Sequence, residues 1–443
     1  MPIPRFTRLF RPLPAAIALL CLPLSPAARA FYLAPGGSDN AAGTSAAPWG
    51  GLAKANAALS AGDTLFLKNG TYAGSGITWT RSGTAEKPIV IRAAAGATPI
   101  FDGKGADWLL LINAKYLSFE GMELTGYGSW GFQVADNSDH VSIRQCHLHH
   151  ILAADNAAIV TRNCGDILIE GCLFEAMGRG LDKTAYDHAV YNSEGSHDII
   201  IRSNTFRDNF AGPAINNYHE PSPHHVFIYN NLFVMTKGAE RSGIYAGTGA
   251  HDIFVYNNTF YAEAAGSVKC YAVTLNAGAG TNAVVNNIFY SEGGGEALIG
   301  ATGDQVDYNA YFPERDAEDK GGHSYAADPV FVTTGKDFHL TPLSPACNRG
   351  FPLPLFATDM EGKPRPTSVW DLGAYQIGDG TALRYTGRVN GRRDPVGADA
   401  AGIYYGRDAR GARVPIKASL PPGTFPGANP SAIRLWRCFP AGD

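Results

Sequence analysis

The stretch DIIIRSNTF at 198–206 returns as HVFIYNNLF at 225–233 and as DIFVYNNTF at 252–260. Each copy has a β-branched apolar run, then a polar pair, then an aromatic residue that closes the phrase. Related phrases recur from Gly121 to Phe289, among them HVSIRQCHL, DILIEGCLF and NAVVNNIF. Strand-like repeats of this length, without helical periodicity between them, are typical of a solenoid. The closing residues are Leu124, Leu148, Phe174, Phe206, Phe233, Phe260 and Phe289.

A second short apolar segment precedes each copy, as in GFQV at 131–134, AVYN at 189–192 and GIYA at 243–246. Each coil therefore has a first strand, a turn, a second strand, a polar bend and a third short strand. Strands would pair with their copies in neighbouring coils, about 4.8 Å away. This pattern predicts an all-β chain folded as a right-handed parallel β-helix of roughly ten coils.

One position in the polar bend is occupied by small polar or sulfur-containing residues in every coil. A buried Asn stacked on identical Asn residues can satisfy its amide along the ladder. The two Cys residues continue the same ladder, and neighbouring coils would also place their Cα atoms within disulfide range. The position reads Cys146, Cys172, Asn204, Asn231, Asn258 and Asn287.

Composition excludes several classes of function. The net charge of −4 over 443 residues gives no sign of a nucleic-acid surface. The seven Cys residues show no metal-ligand spacing, which argues against a zinc site or a disulfide scaffold. His147, His149 and His150 are interpreted as part of the coil surface.

The two ends of the chain differ from the repeat. Residues 1–30 have a basic start, the apolar run AAIALLCLPL and an Ala28-Arg29-Ala30 motif, which together predict a signal peptide cleaved near Phe31. We therefore expect a secreted or periplasmic protein without a membrane anchor. Residues 379–443 are rich in Gly, Ala and Arg and show no repeat, which predicts an irregular tail.

The segment LAKANAALSAG predicts a short amphipathic helix that ends at Gly62 and covers the open end of the solenoid. Around it, FYLAPGGSD at 31–39 and KPIVIRAAAGATPIFDG at 87–103 resemble secreted β-helix proteins of the pectate-lyase-like superfamily. ADPVFV at 327–332 and DLGAYQ at 371–376 extend the resemblance to about residue 378. It implies one β-helix domain over 31–378 and a polysaccharide as the partner, bound by a monomer. The activity is left open, because these end motifs are structural.

The resemblance places the ligand groove along the outer face of the first strands. Strand alternation turns Phe132, Ile159, Val190, Ile215, Ile244 and Val273 inward. The outward neighbours are Gln133, Val160, Tyr191, Asn216, Tyr245 and Thr274. Two tyrosines on this stripe could stack on sugar rings, or could simply suit exposed strands.

Two coils are enlarged, and insertions in a solenoid project from its surface, often at the binding face. The loop EAMGRGLDKTAYDH at 175–188 precedes the strand of Tyr191, and the loop NYHEPSPHH at 217–225 follows the strand of Asn216. These two loops predict a walled cleft that contains acids, a lysine and several histidines.

Elimination at a uronic acid needs a group that neutralises the carboxylate, a base for the C5 proton and an acid for the leaving oxygen. We assign Lys183, His188, Tyr191 and Arg241 to catalysis. Asn216, His219, Tyr245 and Arg179 are assigned to substrate binding. Asp182, Asp187 and Glu220 are the candidate ligands of a Ca²⁺ ion.

The function predicted from the sequence is a polysaccharide lyase that cleaves a uronate-containing chain by β-elimination. A glycoside hydrolase that uses two of the same three carboxylates is one alternative. A non-catalytic carbohydrate-binding or surface protein is the other. The stripe lacks a dense Asp cluster, so calcium dependence is an open question.

Overall fold

The computed structural model describes residues 28–136, 138–153, 156–179, 186–208, 212–235, 243–263, 272–276, 282–293, 297–300, 304–314, 316, 318–319 and 321–377, and five short strands beyond them. The predicted signal peptide therefore lies almost wholly outside the described residues. The described chain forms three long parallel sheets of 9, 11 and 11 strands, which agrees with the predicted β-helix. We name them sheets 1, 2 and 3, after the order of the strands within a coil.

Sheet 1 contains Ile77–Trp79, Trp108–Ile112, Trp130–Ala135, Ala157–Arg162, His188–Ser193, Ile215–Asn217, Ile244–Ala246, Val273–Leu275 and Leu298–Ile299. Sheet 2 contains Ala30–Leu33, Thr64–Leu67, Ile89–Ala93, Leu117–Glu120, Asp139–Arg144, Gly165–Glu170, His197–Arg202, His224–Tyr229, His251–Tyr256, Ala283–Val285 and Gln305–Asp307. Sheet 3 contains Gly70–Ala73, Pro99–Asp102, Glu123–Thr125, His147–His149, Leu173–Glu175, Thr205–Arg207, Leu232–Met235, Thr259–Ala262, Ile288–Ser291, Ala310–Phe312 and Tyr325–Ala326.

The register of each sheet follows the sequence repeat. In sheet 1 the predicted inward residues pair with one another, as Phe132 with Ile159 and Val190 with Ile215, and all six are buried. In sheet 3 the closing aromatic rings stack at centroid distances of 4.5–5.1 Å from Phe174 through to Tyr311. A one-residue slip would turn every one of these side chains out of the core, so the apolar ladders fix the register.

The Asn ladder of the polar bend forms as predicted. Asn231 Oδ1 accepts hydrogen bonds from the backbone N–H and the side chain of Asn204 at 2.9 and 3.0 Å. Asn231 in turn donates to Asn258, Asn258 to Asn287, and Asn287 to Asn309, with each side chain also donating to a backbone carbonyl. All five residues are fully buried. The Cys residues at this position, Cys146 and Cys172, are free thiols rather than a disulfide.

The N-terminal helix spans Leu52–Ala58, and its C-cap is Leu59 in an extended conformation. It therefore ends earlier than the predicted stop at Gly62, which lies in the next turn at a φ of 89°. Leu52 and Ala55 lie on the buried face of this helix. Asn56 bonds the backbone of Thr78 and Thr80, so that the helix covers the first edge of sheet 1.

The segment 331–377, which we name the return segment, runs back along the outside of the coils. It includes the antiparallel pair Phe331–Thr333 and Asp337–Leu340. Leu353, Phe356 and Trp370 pack on the outer face of sheet 2, whereas Phe338, Leu340 and Leu372 pack on that of sheet 3. Both outer faces are thus covered by the return segment in the C-terminal coils.

Within the predicted tail 379–443, the described residues form only short antiparallel pairings. They are Arg388–Val389 with Arg392–Arg393, and Val396–Ala398 with Tyr404–Arg407 and Arg413–Ile416. The rest of the tail lies outside the described residues.

Candidate active site

The outer face of sheet 1 carries the polar stripe that the repeat predicts. Tyr191 pairs with Asn216, Asn216 with Tyr245, and Tyr245 with Thr274 in the strand register. Asn216 lies between the two tyrosines and is 7% exposed, while both tyrosines are partly exposed. Three consecutive coils therefore present an amide between two phenol rings.

His188 is the first residue of its strand and is 1% exposed, so it does not lie in a turn. Its Nδ1–H donates to the carbonyl oxygen of Pro213 at 2.9 Å, which leaves Nε2 as an acceptor in the neutral ring. Nε2 accepts from Asn216 Nδ2 at 2.9 Å. His188 thereby fixes the orientation of the Asn216 amide.

This orientation leaves the Asn216 Oδ1 atom buried without a hydrogen-bond partner among the described residues. A buried carbonyl without a partner costs about 1–3 kcal/mol. A ligand hydroxyl that donates to Oδ1 would remove this cost. Asn216 is therefore the residue of the stripe at which a hydrogen bond from a ligand would be most favourable.

Tyr191 and His219 form a hydrogen-bonded pair beside Asn216. The Tyr191 hydroxyl lies 2.7 Å from His219 Nδ1, and His219 itself is exposed. Burial, with smaller effects from Tyr218 and Glu194, raises the pKa of Tyr191 to about 12. The phenol is thus protonated at neutral pH and can donate its proton to a neutral His219 ring.

Aromatic rings surround this pair. Tyr218 is 40% exposed, packs against His219 at a centroid distance of 4.8 Å and meets Tyr245 edge-on at 6.3 Å. The Tyr245 hydroxyl accepts from Asn276 Nδ2 at 2.9 Å. Gly247 allows the close approach of Tyr218, because a Cβ there would stand 2.0 Å from Tyr218 Cδ2. Such rings suit the apolar faces of sugars.

Tyr218 and Asn276 were not identified from the sequence. For Tyr218 a usable signal existed, since an aromatic residue directly follows a strand at the start of an enlarged loop. Asn276 offered none, because its role depends on the position of a ring in another coil. A buried chain from Thr161 to Asn192 to Asn217, with bonds of 2.9 and 2.8 Å, also lies beneath the stripe and was missed.

Arg179 and Asp187 are paired with each other. Arg179 Nη2 donates to Asp187 Oδ1 at 2.8 Å, and its backbone N–H and Nε donate to Oδ2 at 2.8 and 3.0 Å. Asp187 is fully buried. A cation at Asp187, or a substrate carboxylate at Arg179, would have to compete with this pair.

Of the remaining predicted residues, Glu220 accepts from Ser222 Oγ at 2.6 Å in the loop after Asn217. Lys183, Asp182 and Arg241 lie outside the described residues. In the described part of the groove, Asp187 is turned to Arg179 and Glu220 provides one carboxylate, so these two residues by themselves do not make a Ca²⁺ site.

Comparisons with known proteins agree with this architecture. A family model described as Pel9A-like, right handed beta helix region matches residues 31–212, and a right handed beta helix region model matches 130–310. Pectate lyase PEL9 of Emericella nidulans is 37% identical over 127 residues, which are 25% of this chain and 31% of that protein. Pectate lyase L of Dickeya chrysanthemi is 30% identical over 136 residues, 28% of this chain and 32% of that protein. The chain thus spans about a third of the length of these relatives.

Solved structures show the same fold. The crystal structure of pectate lyase Pel9A aligns with a TM-score of 0.52 at 16% identity, covering 80% of this chain and 97% of that one. An alginate lyase from Paenibacillus sp. str. FPU-7 aligns with a TM-score of 0.50 at 17% identity, covering 68% and 98%. Within the described residues, no helix has the length and apolar character needed to cross a membrane. By its coils, its register and these matches, the chain is a right-handed parallel β-helix protein whose residues 31–212 are similar to the Pel9A-like β-helix region.

Proposed function

We propose that the protein is a polysaccharide lyase that cleaves a uronate-containing chain by β-elimination in the groove on sheet 1. The observation that supports this most is the Tyr191–His219 pair, 2.7 Å apart, next to the amide of Asn216. The relatives named pectate lyase support the class of reaction. The side chains of the groove would determine which sugar binds.

In this reaction the C5–H bond and the C4–O bond of the substrate break, and a C4=C5 double bond forms. The Tyr191 oxygen takes the C5 proton while its own proton passes to His219 Nδ1. Tyr191 then donates to the leaving oxygen and recovers its proton from His219, so the pair returns to its starting state. The raised pKa of Tyr191 keeps its hydroxyl protonated before the reaction, which is the state in which this cycle begins.

Asn216 would hold the substrate, with Oδ1 accepting from a sugar hydroxyl and His188 keeping the amide in place. We accordingly propose His188 as a positioning residue, since both of its ring nitrogens are already engaged. Tyr218 and Tyr245 would stack on neighbouring sugar units. Arg241 remains a predicted partner of the carboxylate and Lys183 a predicted acid or base, and no step is assigned to calcium.

The proposal is tested by incubating the purified protein with a panel of uronate polysaccharides, with and without a calcium chelator. Ultraviolet absorbance of the unsaturated product, together with new reducing ends, is expected for elimination. Reducing ends without absorbance would show hydrolysis instead. Sugar binding without either product would show a non-catalytic protein.

Tyr191→Phe is the sharpest variant, because it removes only the hydroxyl. We expect turnover on the active substrate to fall at least about 100-fold, the lower range for general acid–base catalysis. Tyr32→Phe is the matched control, since Tyr32 stacks on Phe66 far from the groove. Equal turnover in both variants would contradict the role of Tyr191.

A further inference from the structure

A compact group of metal-binding side chains lies on sheet 3, away from the groove. His147 and His149 alternate around the buried Leu148 on one strand, so both rings emerge on the outer face. Glu123 is the register partner of His147 on the preceding strand. Among the described residues, the return segment packs on sheet 3 from Leu232 onward, while His147 and His149 in earlier coils are partly exposed.

The three side chains are already close to the arrangement that a metal ion requires. Each offers one ligand atom, and these atoms lie within 4.8 Å of one another. Glu123 Oε1 is 3.1 Å from His149 Nε2, and the two imidazole rings are 4.3 Å apart. Ligand atoms around a tetrahedral ion with bonds of about 2.0–2.1 Å stand roughly 3.3 Å apart. Small side-chain rotations would therefore complete the site.

His147 carries the second, independent observation. Its Nε2 atom is buried and has no hydrogen-bond partner among the described residues. Glu175 Oε2 is 3.3 Å away but poorly aligned for a hydrogen bond. An imidazole nitrogen without a partner at this position is available as a metal ligand.

The surroundings of His149 complete the argument. Its Nδ1 atom lies 3.3 Å from Thr125 Oγ1 and 2.8 Å from His150 Nδ1. A histidine that binds a metal through Nε2 normally donates its other N–H to such a neighbour, which fixes the tautomer and the ring orientation. The neighbours that would orient a metal-bound His149 ring are therefore present.

We propose that Glu123, His147 and His149 bind one divalent transition-metal ion of the zinc type, with a fourth position that faces solvent beside Glu175. Two imidazoles and a carboxylate favour such an ion over calcium or magnesium. The ion would add a further link between two successive coils. Its effect would be to stabilise the N-terminal half of the solenoid.

The test is a titration of chelator-treated, full-length protein with ZnCl₂ by calorimetry, and with CoCl₂ by absorbance. We expect wild-type protein to bind one equivalent of zinc. His149→Ala and Glu123→Gln should lose this binding or weaken it more than about tenfold, because mutation of even the groups that orient a ligand lowers metal affinity about 10- to 100-fold. Cobalt should give the intense visible bands of a four-coordinate site in wild type alone. Zinc should also raise the melting temperature of wild type but not of either variant.

His251→Ala is the matched control. His251 belongs to another partly exposed histidine stack, with His224 at a centroid distance of 5.1 Å, which would report adventitious zinc binding. Melting temperatures measured in chelator establish that all variants are folded. Unchanged zinc stoichiometry and affinity in His149→Ala and Glu123→Gln, or a loss equal to that of His251→Ala, would overturn the proposal.

Discussion

His188 and His219 both contact polar residues of sheet 1, yet their surroundings give them different roles. His188 is buried, with one ring nitrogen on a backbone carbonyl and the other on Asn216. His219 is exposed and bonds only the hydroxyl of Tyr191 among the hydrogen bonds described for its ring. In the proposed mechanism, burial with full pairing makes His188 a positioning residue, and exposure next to a phenol makes His219 the partner in proton transfer.

We therefore expect His219→Ala and His188→Ala to separate activity from stability. His219→Ala should reduce turnover at least about 100-fold and change the free energy of unfolding by no more than about 0.5 kcal/mol. His188→Ala should also lose activity, but at a stability cost of about 2–4 kcal/mol, because it leaves a cavity and unpaired polar groups. Paired measurements of turnover and chemical denaturation check both.

The exposed His339, which bonds Asp337 at 2.7 Å, provides the control for losing a surface histidine. His339→Ala should leave turnover unchanged. If His188→Ala proves as stable as wild type, then its hydrogen bonds to Pro213 and Asn216 do not hold the strand start in place. If His219→Ala keeps full turnover, the proposed proton relay is wrong.

At the scale of the element, three of the bends are built from two adjacent Asn residues whose side chains point in opposite directions. Asn231, Asn258 and Asn287 point inward and form the ladder. The residues before them adopt left-handed φ values of 49–63° and turn their side chains outward. Asn tolerates this conformation better than most residues, so the Asn–Asn pair suits the bend on both sides.

Asn231→Leu should reduce stability without any direct effect on the groove. The substitution leaves the N–H of Asn204 and the carbonyl oxygen of Ile201 without partners, each at a cost of about 1–3 kcal/mol. We expect a total loss of about 3 kcal/mol or more, measured by denaturant unfolding. Cys146→Ala, at the same position of an earlier coil, removes no amide and should cost clearly less. Equal losses would refute the ladder as the source of stability.

The repeat made the inward ladders, the stripe and the Asn ladder predictable, because each coil repeats the same local environment. Contacts inside the insertions were not predictable, since the repeat does not specify them. Arg179 and Asp187 looked like two free charges in the sequence and are instead one pair. His147 and His149 were interpreted as coil surface, because their alignment with Glu123 depends on a register that only the structure shows.

At the scale of the whole molecule, the return segment packs on the outer faces of sheets 2 and 3, and the proposed groove lies on sheet 1. Asn230 donates to the carbonyl of Thr358, 128 residues later in the chain, and Asn286 donates to that of Phe351. Asn257 bonds the carbonyls of Asp371 and Gly373. The outward Asn residues thus anchor the return segment along the corner between sheets 2 and 3. No local pattern in the sequence reveals contacts at such separations.

Arg365 is the centre of this attachment. It is 6% exposed, and its guanidinium donates to Asn230 Oδ1 at 2.9 Å and to the carbonyls of Gly373 and Asp371 at 2.9 and 3.1 Å. Burial lowers the pKa of Arg365 to about 10, although Asp359 and Asp371 oppose this shift. The group remains charged at neutral pH, so the hydrogen bonds are charge-assisted.

Arg365→Ala should release the return segment and expose the apolar rings beneath it, such as Tyr229 against Phe356. Removing one partner from a buried, hydrogen-bonded charge costs about 3–5 kcal/mol. We expect a loss of this size in denaturant unfolding, and limited proteolysis within 345–377 that precedes cleavage of the coils. Arg349→Ala is the control, since Arg349 is only partly buried and lies 5.4 Å from the Tyr325 ring. Sugar binding in the groove should persist after the return segment is released, because the segment packs on sheets 2 and 3 and not on sheet 1. If sugar binding is lost together with the packing of the segment, then the segment also shapes the groove.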